Sequence, residues 1–486
     1  MLATGKSYCT ALGALSLCIF VAAAQTARGD LPDPTPRTSL ETVYYDYIDE
    51  AGNLAGGRIT LPVIFSDIAR TRPAGYENGS RRSADNRIDF VIVGDGYTAE
   101  ELDIYAVHAD NAVAGFFAEE PFVTYSNYFL VHRIDVISNE SGVDNDPVPG
   151  IERDTALDMG FWCHGIQRLL CVNVEAAYTY ASNAPDVDLV LALANSTMYG
   201  GAGYPNWNLA TASGGNGSAV ELALHEIGHG LGNLADEYDY GNGETYDGPE
   251  PVERNVSILD REAMLASGTK WAAWMDTTWP EFDGRVSTYE GAYYHQYGIY
   301  RPTWNSKMRS LGRPFNIPSV EGLIIEFYKI VNPIDAATQP DVMLNGTETV
   351  YVDPLDPIGH SLDVQWALDG TPIPGATAET LDLCTLELAG GEHVLSVVVT
   401  DNTIWVRDEA ARTQWMTQTL DWTLSVSALT GDVDGNCRVD VADLAELLGN
   451  YGASGATRCD GDLDGSGDVD LVDLAMLLAL YGTTCP

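Results

Sequence analysis

The chain has 486 residues, and its 25 basic against 70 acidic side chains give a net charge of −45. That balance repels nucleic acid and anionic lipid surfaces, so neither is expected as a partner, while cations are attracted. A hydrophobic content of 45% is ample for packed cores and rules out a disordered acidic chain, and the length calls for several domains.

The chain opens with Lys6, an apolar run over residues 11–24 and small residues at 22–24, an order expected of a secretory signal peptide over residues 1–24. No later apolar run is long enough for a membrane span, which predicts an extracellular protein, secreted or held at the cell surface. Cys9 and Cys18 would leave with the leader. The other six cysteines form an even set that favours disulfides in an exported chain, with Cys163 to Cys171 and Cys437 to Cys459 as the expected pairs.

Residues 25–85 read as a linker and a small β-rich region. LPDPTP forbids regular pairing, and VYYDYID and GRITLPVIF flank EAGNLAG as a hairpin would. The hairpin is either a small β domain of its own or the opening strands of the next domain. From Asn86 the texture turns to α/β: an apolar strand over residues 88–93, a GDGY turn, and Thr98 as N-cap with Glu101 three residues on, opening a helix to about Glu119. A second buried strand is expected over residues 189–194. GDGY lacks the further glycine and the lysine of a phosphate-binding loop.

Residues 217–238, GSAVELALHEIGHGLGNLADEY, organise the rest. Val220, Leu224, Ile227 and Leu231 form one apolar helical stripe, and His225 and His229 rise four residues apart from one face, so both can reach one metal ion. Glu226 beside them suits the acceptor of a proton from water that the metal acidifies. Gly230 and Gly232 predict a left-handed turn that ends the helix and sends the chain back. A hydrolytic zinc needs three protein ligands and an open position. Asp236, just past the turn, is the preferred third ligand, with Glu237 second; Glu250 stands in a loop-like GETYDGPE run. His108, His132, His164, His360 and His393 lack useful spacing to the pair and read as surface or satisfied core residues.

The pattern H-E-x-x-H-x-x-G-x-x-x-D-E-Y from His225 to Tyr238, together with DFVIVGDGYTAEEL, EEPF, SGVD, MYGGAG and EGAYYHQYGIYRPTWNSKMR in that order, resembles the IgA-peptidase family of zinc metallopeptidases, which is metzincin-like. The resemblance covers roughly residues 85–330. It implies a zinc metallopeptidase catalytic domain over 86–330 with an α/β (α+β) zincin-like fold, and a protein or peptide substrate. It also implies a methionine turn beneath the metal, with Met308 as candidate. Tyr300 is then a candidate donor to the developing oxyanion, and His295 an alternative ligand or proton donor.

Beyond Asn332, short alternating strands at intervals near ten residues, punctuated by DG, PG and GG turns, predict an all-β sandwich over 333–428, similar to immunoglobulin-like or PKD-like modules and read as a spacer in preference to a substrate-binding module. The C-terminus, residues 431–486, is a tandem: GDVDGNCRVDVADLAELLGNYG recurs as GDLDGSGDVDLVDLAMLLALYG. Oxygen-bearing residues fall at the positions of a twelve-residue calcium loop, Asp432, Asp434, Asn436, Asp440 and Asp443 in one copy and Asp462, Asp464, Ser466, Asp470 and Asp473 in the other. Arg438 and Asp468 would add backbone carbonyls. Leu444, Leu447, Leu448 and Tyr451, repeated as Leu474, Leu477, Leu478 and Tyr481, predict the apolar faces of two packed helices. The tandem resembles a dockerin, a small α-helical, EF-hand-like calcium-binding domain, which implies a cohesin-like or cell-surface partner. Cys437 departs from the glycine of that loop, and Val441, Ala442, Leu471 and Val472 stand where recognition residues are expected.

Two functions are compatible with these features. The first is a secreted zinc endopeptidase in which His225, His229 and Asp236 hold the metal and Glu226 is the general base. The second is a calcium-dependent extracellular adhesion protein whose zinc site is structural or vestigial.

Overall fold

The computed structural model describes residues 7–12, 15–20, 37–48, 54–65 and 85–485 except 387. The expected leader cleavage site at 22–24, the LPDPTP run and the hairpin turn at 49–53 lie outside the described residues. The chain divides into two compact units, one of residues 1–331 with 357–359 and 403–411, the other of 332–356, 360–402 and 412–486.

The first unit is built on a nine-stranded sheet. Its strands are β1 (Ser7–Leu12), β2 (Leu15–Phe20), β3 (Arg37–Ile48), β4 (Leu54–Phe65), β5 (Ile88–Asp95), β6 (Phe129–Ile134), β7 (Leu189–Ala194), β8 (Gly201–Tyr204) and β9 (Leu209–Ser213), in the order β1-β2-β6-β5-β7-β9-β8-β3-β4. β6, β5, β7 and β9 run parallel. Every residue of β5 and β7 is buried, as central strands covered on both faces require. β1 and β2 fall within the stretch expected to be a leader; they pair with each other, and β2 runs parallel to β6.

Thr98 and Glu101 do form a capping box, but it closes a 3-10 turn, and helix α1 (Leu102–Phe116) starts after it. α1 stops short of Glu119 because the chain breaks into turns that bury Phe116 and Phe122 against each other, ring centroids 4.1 Å apart. The unit also contains the helices α2 (Val174–Ala181), α3 (Ala219–Gly230), α4 (Arg261–Ser267) and α5 (Ile317–Ile330). A separate hairpin, β10 (Tyr289–Ala292) and β11 (His295–Arg301), follows α4.

VYYDYID and GRITLPVIF pair as predicted, in the β3–β4 hairpin. Rather than standing as a domain of its own, the hairpin extends the main sheet: β3 lies antiparallel to β8, with Tyr44 opposite Gly203.

In the second unit, β12 (Ile334–Ala337), β13 (Thr349–Pro354) and β16 (Thr380–Asp382) form one antiparallel sheet, and β14 (Asp363–Leu368), β15 (Thr371–Pro372), β17 (Gly391–Thr400) and β18 (Thr417–Val426) form another. The two share one core in which Trp366 and Trp422 lie 5.6 Å apart. The C-terminal tandem belongs to this same compact unit. Its helices, Val441–Gly449 and Leu471–Leu480, enclose a small core of Val433, Val439, Leu447, Val469 and Leu477. The predicted helix faces are only partly right: Leu447 and Leu477 are buried and Leu444 and Leu474 pack against the same small core, but Leu448, Tyr451, Leu478 and Tyr481 are exposed.

The Cys163–Cys171 bridge forms as expected. The Cys437–Cys459 pair does not; the bridges are Cys437–Cys485 and Cys384–Cys459. The reason is local. Cys485 returns beside Cys437, donating its backbone N–H to the Cys437 carbonyl at 3.0 Å, while Arg458 carries the turn around Cys459 to the carbonyl of Gly346 at 3.0 Å, near Cys384.

Because Cys384–Cys459 ties the tandem to the sandwich across a separation of 75 residues, Cys384→Ser should lower the stability of this unit by about 4 kcal/mol. Hydrogen exchange across Gly391–Thr400 in a urea series measures it.

Candidate metal centre

α3 follows β9 and lies beneath β8 and β9, burying Leu224, Ile227 and Leu231 of the predicted stripe. The helix ends at Gly230 as expected, but neither Gly230 nor Gly232 is the left-handed residue. That role falls to Asn233, with φ of 47°. Gly232 serves close approach instead, since a Cβ there would lie 2.7 Å from the Gly228 carbonyl oxygen and 2.8 Å from Leu323 Cδ2.

His225, His229 and Asp236 converge in the buried interior and are joined by a residue that sequence spacing did not single out, Asp46 of β3; ligand atoms of all four lie within 4.8 Å of one another. His225 Nδ1 donates to the Lys307 carbonyl at 3.0 Å, and His229 Nδ1 donates to the Leu234 carbonyl at 2.8 Å. A carbonyl can only accept, so both rings carry a proton on Nδ1, and each ring when neutral turns its Nε2 lone pair inward. With both rings neutral, as metal binding requires, the inward-facing atoms are all acceptors. His225 Nε2 stands 3.1 Å from His229 Nε2, 3.1 Å from Asp236 Oδ1 and 3.0 Å from Asp46 Oδ2, and His229 Nε2 is 3.4 Å from Asp236 Oδ1.

Four acceptors this close repel unless a cation lies among them. Bonds of about 2.0–2.1 Å in a tetrahedron put the ligand atoms about 3.3–3.4 Å apart, close to the separations here. The residues therefore fit a zinc-sized ion with nitrogen and oxygen ligands.

Glu226 is fully buried, and among the described residues neither carboxylate oxygen has a hydrogen-bond partner. Burial pushes its carboxyl well above the usual range, and the nearby charges of Asp46 and Asp236 push the same way against His225. Gly203 on β8 makes room for it, since a Cβ there would stand 2.5 Å from Glu226 Oε2.

Met308 is buried against α3 between the two histidines, where a Cβ on Gly228 would come within 2.8 Å of its sulfur. Its carbonyl accepts from the Glu237 N–H at 2.7 Å. Glu237 itself is absent from the cluster. Its carboxylate accepts from Ser306 Oγ at 2.7 Å, Asn255 Nδ2 at 3.0 Å and Asn316 Nδ2 at 2.8 Å, which ties the return of the chain to the Met308 turn and to the N-cap of α5. The Asp-Glu pair thus divides its labour, and Glu237 as an alternative ligand has no geometric support.

Among the described residues Tyr300 makes no bond to the cluster either; its backbone pairs with Ser257, and burial and then the charges of Glu290 and Asp260 raise its pKa. His295 also lies apart, with Nδ1 on the Tyr293 carbonyl at 2.6 Å. Among the tyrosines that do reach the centre is Tyr294, whose hydroxyl donates to Asp236 Oδ2. Burial first, and then the charge of Asp236, raise its pKa well above that of free tyrosine, so the proton stays in place. Tyr293 and Tyr294 form the two-residue turn between β10 and β11 with φ of 51° and 71°. Asn-Gly is usual at such a turn, and aromatic side chains there carry strain held by the surrounding contacts. Here the backbone N–H groups of Tyr293 and Tyr294 bond the carbonyls of Asp236 and Tyr238 at 2.9 and 3.1 Å.

The tandem repeat gathers two acid clusters, Asp432 with Asp434 and Asp443, and Asp462 with Asp464 and Asp473. Asp440 and Asp470 cap the two helices by accepting from the N–H groups of Ala442 and Val472 at 2.8 and 2.6 Å, and Asn436 and Ser466 lie along the same loops. Cys437 and Cys485 beside Asp432 are bonded to each other and supply no thiolate.

Residues 79–282 match the family model described as IgA Peptidase M64. This stretch, with α3 and the return through Tyr238, is similar to that peptidase family, and the match supports a metallopeptidase. Asp46, Tyr294 and Met308 lie outside the matched residues. No curated protein matches the chain.

Removing the Tyr294 hydroxyl should loosen Asp236 without disturbing the ring packing. Tyr294→Phe is expected to weaken zinc about 10–100-fold, read by competition with a chromophoric chelator.

Proposed function

We propose that the chain is a secreted, zinc-dependent endopeptidase with a calcium-binding C-terminal tandem of dockerin-like kind that attaches it to a cohesin-like or cell-surface partner. The observation that carries the peptidase reading is the pairing of an all-acceptor cluster, His225, His229 and Asp236, with an unpartnered buried carboxylate, Glu226, one residue from a ligand. When bound there, zinc supplies a Lewis acid that acidifies water and polarises a carbonyl.

The chain's own groups do the remaining work. The Lys307 and Leu234 carbonyls hold both imidazoles in one tautomer, and Tyr294 holds Asp236. Glu226 accepts a proton from the attacking water as its oxygen bonds to the scissile carbonyl carbon, then delivers that proton to the amine as the C–N bond breaks. A raised carboxyl pKa suits a group that must both take up and release a proton. Disulfides in both units are in keeping with an extracellular setting.

One observation favours the alternative, an adhesion protein with a structural zinc site: Asp46 makes a fourth protein ligand available, and structural zinc sites are closed by four. Against it, a structural site has no use for Glu226, whose burial without a partner is costly.

Glu226→Gln should keep one zinc per chain and cleave casein about 10²–10⁴-fold more slowly. Undiminished cleavage would sink the mechanism; loss of zinc would show that Glu226 serves the site's structure. In the tandem, calorimetry should find two calcium ions, one lost in Asp443→Ala and the other in Asp473→Ala; heat unchanged by either substitution would remove the calcium assignment.

A further inference from the structure

β8 is flanked by β9 on one side, and Glu226 lies under the face of β8 at Gly203, so the other side of β8 borders the metal centre. An exposed strand edge next to a hydrolytic centre is where an extended peptide adds as one more strand, using main-chain hydrogen bonds for affinity. In this chain that edge is taken by β3, antiparallel to β8, with Tyr44 opposite Gly203, the residue that makes room for Glu226.

Tyr44 and Asp46 lie two residues apart on β3, so their side chains leave the same face of the strand. Both point into the centre. The Tyr44 ring stacks on His229 at 4.1 Å and 20° between planes. Asp46, 0% exposed, sets Oδ2 3.0 Å from His225 Nε2 and accepts at Oδ1 from the Tyr238 hydroxyl at 2.8 Å. The hairpin is shaped for this placement. Gly56 faces Asp46 across β4, and a Cβ there would lie 2.7 Å from Asp46 Oδ1 and 2.0 Å from the Tyr45 carbonyl oxygen.

A hydrolytic centre needs an open position, and that position must face the general base. Asp46 Oδ2 lies 3.0 Å from His225 Nε2, and Tyr44, two residues before it on β3, stands opposite Gly203, whose missing side chain makes room for Glu226. Asp46 is thereby set on the Glu226 side of the cluster, the side from which an attacking water has to enter. The hairpin also precedes the residues matched by the peptidase family, 79–282, so it is not part of what that match covers.

We propose that Asp46 is a fourth ligand to the metal, and that the β3–β4 hairpin occupies the groove along β8 meant for an extended peptide substrate, so that the chain carrying it is latent. This rests on the metallopeptidase reading above. Displacement of the hairpin does two things at once: it opens the fourth position and frees the edge of β8.

The test uses the full chain with cobalt in place of zinc and acetohydroxamate, a small metal-binding group, as the probe of an open position. Wild type, Asp46→Ala and Asp46→Asn are each loaded, metal content is measured, and the visible spectrum is titrated with acetohydroxamate alongside casein cleavage. The expected result is one cobalt per chain in all three, no spectral change in wild type, and a saturable change in both variants. Cleavage should then rise about tenfold or more in both. Cobalt uptake by the variants reports that the other three ligands are in place, and Asp46→Asn keeps the side chain's shape should Asp46→Ala fail to fold. A wild type that binds acetohydroxamate as the variants do, or loaded variants that stay silent, overturns the proposal while leaving the metal centre intact. Wild type that takes up no cobalt defeats the metal centre itself, and is thereby told apart from failure of the Asp46 assignment.

Discussion

The architecture of the first unit depends on one electrostatic constraint: four lone-pair atoms, on His225, His229, Asp236 and Asp46, are held about a tetrahedron's edge apart in a dry interior. Every proton that could have relieved their repulsion is directed elsewhere, the imidazole N–H groups to the Lys307 and Leu234 carbonyls and the tyrosine hydroxyls to the outer carboxylate oxygens. A divalent cation among these atoms would stabilise the arrangement. Binding it would then couple to the local fold.

Elements distant in sequence are organised by the demand to aim these atoms. The Met308 turn supports α3 from below, and it can do so because Gly228 between the histidines has no side chain. Glu237 joins that turn to the returning chain and to α5, using buried hydrogen bonds that leave its charge fully partnered. The tyrosine turn after β10 accepts left-handed backbone at two aromatic residues so that Tyr294 can reach Asp236. Local rules are broken where the site needs a particular direction, and the surrounding hydrogen bonds hold the strain.

Legibility in the sequence divides along the same line. The histidine pair, Glu226 and Asp236 were legible because a helix repeats every 3.6 residues and a short return keeps a ligand close in sequence. The central strands 88–93 and 189–194 announced themselves as unbroken apolar runs. Asp46 was not legible. A lone aspartate among tyrosines in an amphipathic strand looks like a solvent-facing residue, and only strand order places it beside α3. Tyr300 was preferred to Tyr294 for a similar reason: two aromatic residues in a type of turn that normally takes Asn-Gly give no sequence signal. The cysteine pairing failed because the tandem was read in isolation, whereas it shares a compact unit with the sandwich and pairs Cys459 outside itself.

The location of Asp46 on a separate hairpin has a thermodynamic consequence. Asp46, Glu226 and Asp236 place three carboxyl groups in one buried volume, with two imidazoles to share them. Without a metal ion, seating the hairpin carries the desolvation cost of another buried carboxylate, which opposes its docking. With a divalent ion the sign reverses, because the same carboxylate now gains a strong electrostatic partner in a medium of low dielectric constant. Metal and hairpin must then favour one another, each raising the occupancy of the other by the same factor. An extended peptide competing for the edge of β8 has to supply as much from its backbone hydrogen bonds and side-chain contacts as Asp46 supplies from one ligand bond. The barrier to hydrolysis would thus lie first in exchanging one strand for another, before any peptide bond is touched.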